Sequence, residues 1–219
     1  DMQQAARQLA AHNIQVDQLE GAFAWAQADE AAAIAEERVL FTTACSLGAR
    51  AVLVADITAG SDERHLKRQF KRLCAHAAEY ELECRLEFLP WSSVANLDAA
   101  LALIDAAAAG NAGLVLDSWH VFRSGLALEA IARLPGSLIK GVQISDAVVP
   151  FSGPASAEET LAHRVWPGEG RFDLAGVLNA VSATGTDARG SVELMHYPAT
   201  EPADVYARQA QLALERLLL

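Results

Sequence analysis

The chain is 219 residues long and 52% hydrophobic, with a net charge of −11 and a pI near 4.9. Its apolar content is ample for a sizeable core, and its negative balance opposes a phosphate backbone, which argues against nucleic acid as a partner. No apolar run approaches the ~20 residues of a membrane span and no signal peptide is visible, while three cysteines without paired spacing, Cys45, Cys74 and Cys84, suit a reducing, cytoplasmic compartment.

Met2 to Ala11 reads as a helix ended near Asn13, and Ile14 to Leu19 as a strand leading to a loop with Phe23 and Trp25. Asp29 is placed to cap a long helix closed at Gly48. Ala51 to Asp56 is a buried strand, and Ser61-Asp62 opens a helix whose Arg64, Lys67, Arg68, Lys71 and Arg72 read as a wet basic face. Histidines His12, His65 and His76 lie on helices and read as surface residues. Arg85-Leu-Glu-Phe-Leu-Pro-Trp91 is a short strand ending in the carboxylate of Glu87 and stopped at Pro90. Asn96 caps a helix from Leu97 to Ala109, closed by Gly110, before the strand Gly113-Leu-Val-Leu-Asp117. A short helix from Ala127 to Leu134 stops at Pro135, followed by the strand Gly141-Val-Gln-Ile-Ser-Asp146. A long connection from Val148 to Arg171 contains Pro-Gly-Glu-Gly and precedes a helix from Phe172 to Ala183. The strand Gly190-Ser-Val-Glu-Leu-Met195 and a helix from Ala203 to Leu219 complete the chain. The apolar positions of that last helix should cover the outside of the sheet, with a homo-oligomer contact as the alternative.

Strict strand–helix alternation without a linker implies parallel strands wrapped by helices. No Gly-rich phosphate turn follows any strand, which disfavours a doubly wound open sheet. The reading is a (β/α)8 TIM barrel, one domain over residues 1–219; such barrels have eight strands in roughly 250 residues. Six strands are counted, and the chain starts at Asp1 rather than methionine, so the first two strands and first helix are expected to be missing. Side-chain parity supports this. Glu83, Arg85 and Glu87 share one side of their strand, as do Val115 and Asp117, then Gly141, Gln143 and Ser145, then Ser191 and Glu193. The alternate, largely aliphatic set can pack on helices, while the small or polar set points inward, toward the strand C-termini where parallel barrels keep their chemistry.

Carboxylates converging in a barrel mouth repel one another unless one is protonated or a cation lies among them. Glu87, Asp117, Gln143 and Glu193 offer oxygens, a hard set suited to one divalent ion, Mg2+ or Mn2+ with Co2+ as a further option. The amide at Gln143, in place of an imidazole, lowers the case for Zn2+. Asp117-Ser-Trp-His120 puts an imidazole just beyond a strand, where it can carry a proton or touch substrate; a loop histidine bonded to backbone is the bland alternative. His163 and Arg164 lie in the long loop over the same face, and Arg164 can bind a carboxylate or phosphate bidentately. Trp25, Trp91, Trp119 and Trp166 follow strand ends, which suggests walls for a polar ring, Trp91 and Trp119 being the nearest to the site. His196 follows Glu193 closely and is not assigned a role.

With Leu86-Glu-Phe-Leu-Pro-Trp91, Leu116-Asp-Ser-Trp-His120, Val142-Gln-Ile-Ser-Asp146, Arg164-Val-Trp-Pro-Gly-Glu-Gly170 and Val192-Glu193 in view, the chain resembles the xylose isomerase-like TIM-barrel superfamily. That superfamily includes sugar-phosphate isomerases and epimerases and the family 2 AP endonucleases. The resemblance implies metal ligands at the ends of the fifth to eighth barrel strands, here Glu87, Asp117, Gln143 and Glu193. Ketose epimerases of the family usually carry histidine where this chain has Gln143, and move a proton with two glutamates, here Glu87 and Glu193. Glutamine there, with D-x-x-H before it and an arginine in the next loop, is also similar to 3-dehydroshikimate dehydratases. In those His120 would be the base and Arg164 would hold the substrate carboxylate. The AP endonuclease branch assembles several zincs from many histidines, which this chain lacks. The expected function is therefore a metal-dependent isomerase or epimerase working on a small sugar or polyhydroxy carbonyl compound through an enediolate. A dehydratase is the alternative, and DNA repair or a non-catalytic barrel the lesser readings. The expected partner is a small carbonyl substrate, with neither nucleic acid nor membrane.

Overall fold

The computed structural model describes residues 2–148, 150–151, 153–195 and 202–218. Elements follow in the order α1 (Met2–Ala11), β1 (Gln18–Ala22), α2 (Glu30–Leu47), β2 (Ala51–Ala55), α3 (Glu63–Ala78), β3 (Glu83–Glu87), α4 (Leu97–Ala107) and β4 (Ala112–Asp117). Then come α5 (Ser118–Arg123), α6 (Leu128–Ala132), a 3-10 turn Gly136–Leu138, β5 (Ile139–Ile144), α7 (Ala157–Ala162), α8 (Leu174–Ala183), β6 (Arg189–Val192) and α9 (Ala203–Leu218). The strands form one sheet in chain order, β1 to β6. The pairs β1–β2, β2–β3 and β5–β6 run parallel. Parallel strands in chain order, each followed by helix, are the (β/α)8 barrel plan, of which the described residues supply six strands. The chain divides within β4 into two compact units, Asp1–Leu114 and Val115–Leu219.

Local chemistry explains most helix starts. Asp29, Asp62, Asn96, Ser156 and Asp173 each accept the backbone N–H three residues on, opening α2, α3, α4, α7 and α8; such a cap contributes ~1 kcal/mol. Gly48 ends α2 in the left-handed region at φ 73°, where glycine carries no Cβ penalty. The end of α4 differs from expectation. Ala108, not Gly110, takes the left-handed turn at φ 49°, its N–H closing on the Ile104 carbonyl. The first strand starts four residues and ends three residues later than Ile14–Leu19, and contains a bulge between Glu20 and Ala22. The periodicity did not separate the two short helices α5 and α7 from loop.

In the first unit, β2 is buried throughout. The α3 face made by Leu66, Phe70, Leu73, Cys74 and Ala77 is buried at helical spacing, each large side chain contributing about 1.5–3 kcal/mol. Trp25 is fully buried, donating to the Ala55 carbonyl at 3.0 Å and meeting Phe70 edge-on. It is a core residue and not a wall of a rim. Arg72 and His76 also leave the wet face expected for them. Glu37 of α2 is 3% exposed, and both residues close on it, Arg72 through two bonds of 2.8 and 2.7 Å and His76 at 2.7 Å. A buried carboxylate needs such partners, and residues 35 and 39 positions away supply them. His65 is likewise held, its Nε2 lying 2.8 Å from the Ala26 carbonyl. On β3, Arg85 is 2% exposed and bonds Glu83, Asp17 and Gln18, so the shared side of Glu83, Arg85 and Glu87 is a charged interior face. Among the described residues no helix is long and apolar enough to cross a membrane.

Candidate functional site

The second unit gathers its polar side chains at the ends of β4, β5 and β6. Asp117 ends β4 and also caps α5: its Oδ1 accepts the Trp119 N–H at 2.6 Å. The helix therefore starts without a loop, and one turn brings His120 round to the side of its cap. A carboxylate oxygen of Asp117 and a ring nitrogen of His120 lie within 4.8 Å. Ser118 of α5 ties this corner to the end of β5, its hydroxyl donating to the Ser145 carbonyl at 2.7 Å and accepting the Ser145 N–H at 2.9 Å.

Gln143 is buried on β5 opposite Ser191 of β6. The ladder continues one bond past β6, from the Glu193 N–H to the Ile144 carbonyl at 3.1 Å, so Gln143, Ser145, Ser191 and Glu193 fall on one face by strand parity. Arg164 reaches this cluster from the connection after α7. Its guanidinium donates from Nη1 to Asp117 Oδ2 at 2.7 Å and to Ser145 Oγ at 2.9 Å, lies 3.5 Å from Glu193 Oε2, and brings Nη2 within 3.5 Å of His120 Nε2. Trp119 is fully buried 5.5 Å from the Arg164 guanidinium, meeting Phe151 at 5.1 Å and Phe172 at 6.0 Å edge-on. It backs the arginine from an aromatic cluster.

Burial and charge set the ionisation here. Burial alone would raise the Asp117 pKa, but the Arg164 charge, a side-chain hydrogen bond with Glu193 and the neighbouring His120 outweigh it and hold it at about 2. Burial is also the main force on His120, with Arg164 acting in the same sense against Asp117, and its pKa falls to about 4. His120 is therefore neutral at pH 7, because desolvation penalises its cation.

Of the residues expected at the site, Asp117, Gln143 and Glu193 occupy these strand ends in the second unit, with His120 on α5 and Arg164 in the connection after α7. Glu87 ends β3 in the first unit, 5% exposed. Trp91 is half-buried in the turn after β3, and Trp166 packs on Tyr206 of α9 with ring centroids 4.8 Å apart. His163 ends α7 with its side chain exposed, apart from the buried cluster. His196 lies outside the described residues. Ser118 and Ser145 were not singled out from sequence. Ser145 was read only as a member of the inward set and Ser118 only as a neighbour of Asp117, and neither carries a role until the two strand ends are known to be neighbours.

The family described as "Xylose isomerase-like TIM barrel" matches residues 1–217. A 3-dehydroshikimate dehydratase of Pseudomonas aeruginosa is 35% identical over 132 residues, which is 60% of this chain and 20% of that protein. An inosose isomerase of Bacillus velezensis is 29% identical over 171 residues, 74% of this chain and 59% of the isomerase. The chain thus spans less than two thirds of either relative's length. Among solved structures, the IolI protein with a bound zinc atom aligns with a TM-score of 0.88 at 24% identity, over 99% of this chain and 81% of that one. A xylose isomerase-like TIM barrel/4-hydroxyphenylpyruvate dioxygenase fusion protein aligns with a TM-score of 0.90 at 24% identity, over 99% of this chain and 36% of that one. These structural likenesses concern the fold. Matched over almost its entire length, the chain belongs to the xylose isomerase-like TIM barrel family.

Proposed function

We propose that this barrel, as one domain, is the catalytic part of a divalent-metal-dependent isomerase or epimerase acting on a small sugar or polyhydroxy carbonyl compound. The observation that carries the reading is the acid pair of the second unit: Asp117, fully buried, and Glu193 both lie against the Arg164 guanidinium, at 2.7 and 3.5 Å. One guanidinium offsets one carboxylate of the pair, and a further cation would offset the other. The buried amide of Gln143 adds a further hard oxygen, so the donor set fits a divalent ion. Glu87 ends β3, the neighbour of β4 in the sheet, and is proposed as the fourth ligand with Asp117, Gln143 and Glu193. Mg2+ and Mn2+ suit such oxygens best, with Co2+ next; the zinc of IolI is a property of that protein. When bound, the ion supplies Lewis acidity toward a substrate carbonyl.

The chain's own groups do the rest. Glu193 and Glu87 take and return the proton on the carbon beside the carbonyl. His120, neutral at pH 7, accepts a hydrogen bond or a proton from a substrate hydroxyl. Arg164 binds an anionic substrate group, with Trp119 behind it and Trp91 and His163 assigned to the rim.

A second reading, a lyase of the 3-dehydroshikimate dehydratase type, is favoured by one observation. The Arg164 side chain is 2% exposed, and a neutral sugar offers it no charge, whereas a carboxylated carbonyl compound does. In this reading His120 is the base. The proposed setting is the cytoplasm, with a small-molecule substrate, no nucleic acid or membrane, and a homo-oligomer contact through α9 as an open arrangement. Metal content after incubation with Mn2+, followed by turnover of inosose, ketoses and 3-dehydroshikimate, tests both readings. Uptake of about one ion with turnover of one of these classes is expected. A protein that takes up no ion and turns over none of them overturns the proposal.

A further inference from the structure

Asp146 follows the end of β5 and is 1% exposed, yet it takes no part in the acid cluster. Its carboxylate collects four backbone N–H groups instead. Oδ1 accepts from Ala147 at 2.8 Å and Phe172 at 2.9 Å, and Oδ2 from Gly168 at 3.1 Å and Gly170 at 3.0 Å. The main chain adds a two-way bridge, Asp146 N–H to the Val165 carbonyl at 3.0 Å and Val165 N–H to the Asp146 carbonyl at 2.9 Å. The Arg171 N–H closes the far end on the Ala147 carbonyl at 2.9 Å. Gly170 has no room for a side chain, since a Cβ would run into the Asp146 carboxylate and the Ala147 backbone. The segment clamped in this way begins immediately after Arg164, whose guanidinium is held by Ser145, the residue before Asp146, and by Asp117. Backbone and head of the arginine are thus fixed from the same strand end.

We infer that Asp146 is a positioning residue for Arg164: by gathering the 168–172 N–H groups it fixes the loop from which the guanidinium reaches the site. The inference rests on the reading of Arg164 as the binder of an anionic substrate group. Charge-assisted bonds to backbone N–H groups are strong and directional. An asparagine at this place offers one oxygen, and its NH2 would face N–H donors, so at least one pair of bonds must break.

The test compares Asp146→Asn and Gly170→Ala, in the Mn2+-loaded protein, with Arg164→Ala and with Asp173→Asn. The last makes the same acid-to-amide change where one oxygen suffices, since an asparagine can still accept the Gly176 N–H that Asp173 takes at 2.9 Å at the start of α8. Asp146→Asn, Gly170→Ala and Arg164→Ala should each raise KM for 3-dehydroshikimate by roughly ten- to a hundredfold, with kcat changed far less, while Asp173→Asn should leave KM alone. In substrate-free protein, the NMR signal of the Arg164 guanidinium protons should be visible in the parent and Asp173→Asn and lost in the other two loop variants. The parent's Gly168, Gly170 and Phe172 amides should exchange slowly with solvent. Fast exchange there overturns the inference, even if neither variant folds. So does an unchanged Arg164 signal in a folded Asp146→Asn protein, or an equal fall in kcat and metal affinity in place of a KM effect. Absence of turnover in the parent defeats the functional reading instead, and leaves the guanidinium signal to decide the role of Asp146.

Discussion

Replacing Arg164 with methionine removes the charge that Asp117 depends on while keeping an apolar stem against Trp119. Asp117 is fully buried, and Arg164 Nη1 bonds its Oδ2 at 2.7 Å. Removing one partner of a buried ion pair costs about 3–5 kcal/mol. Asp117 retains the Trp119 N–H at 2.6 Å and the link to Glu193, so the lower end, about 3 kcal/mol at pH 7, is expected. Part of this is a protonation effect. The Asp117 pKa falls from 3.8 in the unfolded chain to about 2 in the folded one, a shift worth about 2 kcal/mol. Because the folded value is the lower one, that stability is complete above the unfolded pKa, roughly halved near pH 3, and lost as pH falls through the folded pKa. In the variant, burial dominates and the increment disappears. Urea unfolding at pH 7, 4 and 3 reads the difference, which should shrink as pH falls. A variant within about 0.5 kcal/mol of the parent at pH 7, or a difference that widens toward pH 3, refutes the reasoning.

Glu193→Gln should keep the thermal midpoint within a few degrees and lower kcat by at least about a hundredfold; retained turnover in a steady-state assay would remove Glu193 from the proton path. Glu37→Ala leaves Arg72 and His76 facing a void in the first unit and should cost about 3–5 kcal/mol in urea unfolding at pH 7. A loss below about 1 kcal/mol would mean that the network is no more than a surface pair. Ala108→Gly relieves the left-handed residue that ends α4 and should raise stability by about 1 kcal/mol; no gain in thermal or urea midpoint would place the strain elsewhere.

The polar residues of β3 to β6 could be read as one inward set because strand parity is local: it follows from alternation within five or six residues. The caps at Asp29, Asp62 and Asn96 were legible for the same reason, each bonding three residues ahead. The start of α5 was missed because Asp117 serves as strand end and helix cap at once, and no turn residue marks the change. Trp25, Arg72 and His76 were read as rim or surface from their positions on isolated elements. Their places follow instead from what α2 and α3 bring against each other, above all a carboxylate, Glu37, that must be neutralised once buried. The ionisation of His120 was out of reach too, since desolvation depends on everything packed around the ring.

Amino-acid order by itself determined the alternating strands and helices, the parity that turns Glu87, Asp117, Gln143 and Glu193 to one side of their strands, and the family motifs. All of these are written in spacings shorter than a helix turn or a strand. Only the tertiary structure decided which groups meet. Arg164 finds Ser145 across 19 residues and Asp117 across 47, and Asp146 gathers N–H groups up to 26 residues away. Hydrogen bonds and charge act over a few ångströms, so their partners are chosen by the neighbourhood that folding creates and not by distance along the chain.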